Sequence, residues 1–148
     1  MTAVLIDTNI LVYAHDTREP KKRQRALRVL ERLHELASGR LSVQCLAEVY
    51  AAVRRGPKAR LTAEEAALQV ERLSRAWPVV DLTSMVVLEA LRGVRQHKLA
   101  YWEAQMWACA RLNQIPVLFT EDFQDRQVVE GVLFVNPLAD HFDPDAWV

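Results

Sequence analysis

The 148-residue chain is predicted to be an α/β protein: a three-layer α/β/α sandwich with a central, mostly parallel sheet. Three observations point there. Short apolar runs alternate with longer segments of helical periodicity, the pattern of a sheet covered on both faces by helices. The first run, Ala3 to Ile6, does not alternate with polar residues, as expected of a strand buried on both sides. The chain is also long enough to bury a core without disulfides or a structural metal, so one domain is expected over residues 1–138, followed by a tail at 139–148.

The elements follow in order. After the opening strand, Ile10 to Ala14 gives a short helix. A longer one starts at Pro20, with Ala26, Leu27, Leu30, Leu33 and Leu36 at helical spacing and Gly39 as the expected stop. Leu41-Ser42-Val43 is a brief strand. Cys45 to Val53 is a helix closed by Arg55-Gly56-Pro57. Thr62 and Glu65 make a capping box for a helix reaching about Ala76. Pro78 to Asp81 is a strand, and Thr83 caps a helix to about Gln96. A further helix spans about Ala100 to Asn113. Pro116 to Thr120 and Val132 to Val135 are the last two strands, the second closed by Asn136-Pro137. In the tail, Trp147 is placed to pin the chain to the body or to a partner.

Composition narrows the class. Nineteen basic and nineteen acidic residues leave no net charge, so the balance does not advertise nucleic-acid binding. Local clusters do exist: Arg18, Lys21, Lys22, Arg23, Arg25 and Arg28 form one, and Arg54, Arg55, Lys58 and Arg60 another. Lys21, Lys22, Arg23 and Arg25 are the candidates for contacts to a phosphate backbone. Cys45 and Cys109 lie in apolar helices without metal-type spacing and are expected as buried free thiols. No apolar run spans a bilayer and Met1 to Asp7 lacks a signal-peptide pattern, so a cytoplasmic protein with no membrane partner is expected.

The acids carry the chemistry. Asp7 stands at the carboxyl end of the first strand, where open parallel sheets bind ligands, and it also suits the cap of the next helix. Glu48 and Glu103 are each the lone acid of a helix that is apolar nearly all round, with no base one turn away. An ionised carboxylate there needs a cation or turns neutral. Asp122 follows the strand ending at Thr120, in the same kind of position as Asp7. Four acids gathered at one end of a sheet repel each other unless a cation joins them. All-oxygen ligation selects Mg2+ or Mn2+.

These residues, Asp7-Thr8-Asn9-Ile10-Leu11, Glu48, Tyr101-Trp102-Glu103-Ala104 and Thr120-Glu121-Asp122-Phe123-Gln124-Asp125 with Asn136-Pro137 behind, resemble a PIN-domain nuclease. The likeness is to the VapC-type toxins of bacterial toxin–antitoxin pairs and covers Val4 to Leu138. It implies a ribonuclease in which Asp7, Glu48, Glu103 and Asp122 bind Mg2+ or Mn2+ for hydrolysis of RNA to a 3′-hydroxyl and a 5′-phosphate. Thr8, Asn9 and Thr120 would orient the acids, Asp125 would join the outer shell, and Glu121 would stay exposed and uninvolved. A cognate antitoxin and a homodimer are implied as partners. The chain departs from the pattern at Glu103, where the family most often has Asp; the added methylene extends reach by about 1.5 Å. An alternative follows from it: a PIN-like module that binds RNA or a partner and cuts weakly or not at all. A receiver domain or a haloacid-dehalogenase-type phosphatase fits worse, because Asn9 stands where the latter needs a second Asp and Asn136-Pro137 replaces the former's Lys.

Overall fold

A computed structural model describes residues 2–56 and 58–148. In chain order the elements are β1 (Val4–Ile6), α1 (Thr8–Tyr13), α2 (Pro20–Glu35), β2 (Gly39–Ser42), α3 (Val43–Val53), α4 (Ala63–Ala76) and β3 (Val79–Val80). Then come α5 (Ser84–His97), α6 (Tyr101–Leu112), β4 (Val117–Phe119), β5 (Val128–Val129) and β6 (Val132–Val135), with a 3-10 turn at Pro144–Ala146. The strands form one sheet in the order β3-β2-β1-β4-β6-β5, parallel except for the β5–β6 hairpin. The expected sandwich with a mostly parallel sheet is therefore what the chain adopts.

The strands β1 and β4 are buried at every residue, which explains their lack of polar alternation. Trp107, Phe119, Phe134, Leu5 and Ile6 are the largest side chains fully enclosed between the layers. Both cysteines are free and buried, and burial pushes the Cys109 thiol up to about 11. No helix is long and apolar enough to cross a membrane among the described residues.

Three sequence expectations are corrected. Gly39 does not stop α2. The helix ends at Glu35, and Ala37 takes the left-handed conformation (φ 53°) while Ser38 N–H donates to Leu33 O and Ala37 N–H to His34 O, a Schellman closure made without glycine. Gly39 instead opens β2, where any Cβ would collide with the Trp77 ring. The β5 strand was not expected. It forms because Glu130 (φ 46°) and Gly131 (φ 83°) supply the two positive-φ residues of a tight hairpin turn. The α3 helix is not buried all round: Gln44, Cys45, Val49 and Val53 face inward while Val43 and Tyr50 are exposed, since α4 covers only part of its outer side. Pro57, part of the expected stop after α3, lies outside the described residues.

The capping box is present as expected, with Thr62 Oγ1 accepting from Glu65 N–H at 3.1 Å and Glu65 accepting from Thr62 N–H at 2.9 Å. Thr62→Ala is expected to lower unfolding stability by about 1 kcal/mol, read from the denaturant midpoint. The tail folds back on α2. Trp147 packs edge-on against Phe119 at 4.9 Å between ring centres, Arg28 pairs with Asp145 at 2.7 Å, and Arg32 donates to the Trp147 carbonyl at 3.0 Å. Trp77 likewise packs against the core.

Candidate active site

The strand order reverses between β1 and β4, which places a crevice at their carboxyl ends. Asp7 follows β1 directly and its N–H donates to Phe119 O, the last residue of β4, at 2.9 Å. Thr120 and Asp122 follow β4, so the first and last acids meet because their strands are hydrogen-bonded neighbours. Glu48 arrives on α3, which continues from β2 on the other side of β1. Glu103 arrives in the first turn of α6, which leads into β4. All four carboxylates line one cleft of about 440 Å³, together with Thr8, Asn9, Gln44, Trp102 and Met106.

Each acid is held. Asp7 Oδ1 accepts from Thr8 N–H at 2.7 Å, so it does cap α1, and its Oδ2 accepts from the Thr120 hydroxyl at 2.7 Å. That hydroxyl oxygen in turn accepts from Asp122 N–H at 3.1 Å. Asp122 accepts from the Asn9 amide at 2.9 Å. Glu48 accepts from the Thr8 hydroxyl at 2.7 Å. The three residues expected to orient the acids, Thr8, Asn9 and Thr120, thus each donate to one of them.

Electrostatics show the strain of the gathering. Burial pushes the Asp7 carboxyl up to about 6; the Thr120 hydrogen bond opposes this, and the Asp122 and Glu48 charges add to it. Asp122 is raised by burial and by the Glu121 and Glu48 charges against the Asn9 bond. Glu103 is raised by burial and by the charge of Asp122, which places its head within the same field despite the added methylene.

The donor set is all oxygen and suits a hard divalent ion. The Asn9 carbonyl oxygen adds an acceptor at the cluster that is buried and unpaired. As the side chains stand, no three His, Cys, Asp or Glu groups among the described residues are close enough to enclose an ion. Mg2+ does not require that, since it keeps several waters and takes one or two carboxylates plus phosphate oxygen.

Other expected residues fall elsewhere. Asp125 accepts from Asn136 N–H at 2.8 Å and pairs with His141 at 2.9 Å, bracing the loop between β4 and β5 against the segment after β6. Lys21 and Arg25 pair with Asp140, and Lys22 pairs with Glu121 at 3.1 Å; neither these nor Arg23 line the cleft. Glu121, expected to be exposed, is instead partly buried, pairing with Lys22 and accepting from the Tyr13 hydroxyl at 2.6 Å, and it does not line the cleft.

The sequence reading missed a relay behind Glu48. Tyr101 donates to Gln105 Oε1 (2.8 Å), Gln105 donates to Gln44 Oε1 (2.9 Å), and the Gln44 amide reaches the Trp102 carbonyl at 3.2 Å and Glu48 at 3.4 Å. The available signal was a pair of glutamines inside apolar helices, each needing a partner.

A family model described as PIN domain matches residues 4–129. No curated protein matches the chain. Among solved structures, a toxin–antitoxin complex from Klebsiella pneumoniae is 19% identical with a TM-score of 0.64, covering 91% of this chain and 98% of its own. VapC20 of Mycobacterium tuberculosis, described as a toxin cleaving the sarcin-ricin loop, is 17% identical with a TM-score of 0.58, covering 81% and 90%. VapBC2 of Rickettsia felis, bound to a promoter DNA fragment, is 15% identical with a TM-score of 0.64, covering 90% and 97%. At these identities the likeness establishes the shared fold.

Proposed function

Because the chain belongs to the PIN-domain family, we propose that it is a Mg2+- or Mn2+-dependent endoribonuclease and the toxin of a type II toxin–antitoxin pair. The observation that carries this reading is the convergence of Asp7, Glu48, Glu103 and Asp122 on one cleft from four separate segments. One of the structurally similar proteins is described as a toxin–antitoxin complex, a second as VapBC2 bound to a promoter fragment and a third as a sarcin-ricin loop cleaving toxin, which supports the same assignment.

Asp7, Asp122, Glu48 and Glu103 are the residues that would hold the ion. When bound, a divalent ion lowers the pKa of coordinated water and offsets charge developing on the phosphate. In the hydrolysis a bond forms between water oxygen and phosphorus while the bond to the 3′ oxygen breaks, leaving a 3′-hydroxyl and a 5′-phosphate. Thr120 donates to Asp7 and accepts from the Asp122 N–H, fixing both; Thr8 and Gln44 aim Glu48; Asn9 aims Asp122. The position of Glu103 on the cleft wall favours cleavage over a binding-only module.

A protein antitoxin and a second copy of the chain are the proposed partners. Uncovered apolar side chains along α5, Met85 (62% exposed), Leu88 (60%) and Leu91 (44%), offer the kind of surface such contacts bury. The protein is placed in the cytoplasm, where such RNA lies.

The test is incubation of the purified chain with total RNA and Mg2+ or Mn2+, beside a chelator control, with mapping of the ends produced. Cleavage with the ion and none with the chelator is expected. RNA retained by the protein but left intact under both conditions would establish the binding-only module instead.

A further inference from the structure

Besides its acids the cleft wall carries Arg55 and Arg60, the only basic side chains that line it among the described residues. Arg60 is fixed rather than solvated. Its Nη2 donates to Asp16 Oδ2 at 3.0 Å, its Nη1 donates to Ala52 O at 3.2 Å, and its Nε is buried with no partner. Asp16 is itself 4% exposed and also accepts from the backbone and side chain of Arg18. Burial pushes its carboxyl up, but the bonds from Arg18 and Arg60 outweigh that and hold it below its ordinary value. Asp16 therefore acts as an ionised anchor that stations one guanidinium at the cleft, and exposed Arg55 lines the same cleft. Besides Asp16 and the four clustered acids, Glu19 is the one other acid lining it.

A polyanionic strand entering an acid-lined cleft needs cations beyond the one at the cut bond, because its neighbouring phosphates enter the same negative field. The α2 bases do not line the cleft, and three of them are committed to Asp140 and Glu121. We infer that Arg55 and Arg60 form a subsite for a non-scissile backbone phosphate of the RNA, setting how the strand lies across the four acids. Guanidinium forks suit phosphate oxygens, and prior fixing by Asp16 and Ala52 lowers the ordering cost on binding. The inference rests on the nuclease reading above.

Binding of a fluorescent single-stranded RNA oligonucleotide, measured with chelator over a range of salt, tests it alongside steady-state cleavage. Arg55→Gln and Arg60→Gln are each expected to weaken binding roughly tenfold. Each is also expected to reduce the slope of log affinity against log salt by about 0.7. In cleavage the loss should appear in KM with kcat retained, and Arg55→Lys should recover most of the salt slope. Arg55→Gln removes no buried bond, so it decides the matter even if Arg60→Gln unfolds by stranding Asp16. Wild-type cleavage with an unchanged slope and KM in Arg55→Gln overturns the subsite alone. Failure of the wild type to cleave RNA with either ion overturns the nuclease reading first.

Discussion

Asp7→Asn is expected to abolish metal-dependent RNA cleavage while leaving the fold intact and, at neutral pH, more stable. The cause is the displaced ionisation of this carboxyl, from an ordinary 3.8 to about 6 in the folded chain. A raised acid pKa means that ionisation opposes folding. Below about 4 the group is neutral in both states and exerts no penalty. Between about 4 and about 6 the penalty grows, and above 6 it is complete, at roughly 3 kcal/mol for a shift of this size. Asparagine removes the charge but weakens the bonds from Thr120 and Thr8, so the net gain at pH 7.5 is about 1–2 kcal/mol. That corresponds to a rise in Tm of about 2–8 °C, measured with chelator present. At pH 4 the gain should vanish. A rise of equal size at both pH values would show that repulsion and burial of charge are not its source, and cleavage at the wild-type rate would remove Asp7 from the chemistry.

Trp107→Ala is expected to bring the largest loss of stability, about 3–5 kcal/mol, against a total of roughly 5–15 kcal/mol for a domain of this kind. Trp107 is fully enclosed and its indole N–H donates to Val129 O at 3.1 Å, tying α6 to the edge hairpin. Gly93 on α5 lies against the same ring so closely that a Cβ there would clash. Truncation therefore opens a cavity between α5 and α6 and releases β5 together. Because Glu103 sits one turn before Trp107, activity should fall with the folded fraction and also per folded molecule as α6 shifts. Denaturant unfolding beside activity at 15 °C and 37 °C separates the two. A midpoint within 0.5 kcal/mol of wild type would contradict the packing described here.

The elements that could be read from the chain are those whose signals are local. Apolar runs without alternation marked β1 and β4, and side-chain caps marked the starts of α4 and α5 at Thr62 and Thr83. The turns that escaped are made by residues with no strong preference for the backbone they adopt. Ala37 closes α2 in a conformation usually left to glycine, and Glu130 shares the hairpin turn with Gly131. Backbone bonds rather than side chains close both: Ser38 N–H reaches Leu33 O in one, and the pairing of Val128 with Leu133 flanks the other.

The sequence by itself determined which acids stand out, because a lone carboxylate in an apolar helix or at a strand end is anomalous wherever the chain goes. It also determined the layer architecture, since strand and helix periodicities cannot exchange. Only the tertiary structure decided that Tyr101, Gln105 and Gln44 stand behind Glu48, that Asp16 holds Arg60 at the cleft the acids line, and that three of the α2 bases are spent on Asp140 and Glu121. Apart from Tyr101–Gln105, one turn of α6, each of those pairings joins groups far apart along the chain. Polar side chains find partners by proximity in space, and no local pattern encodes it.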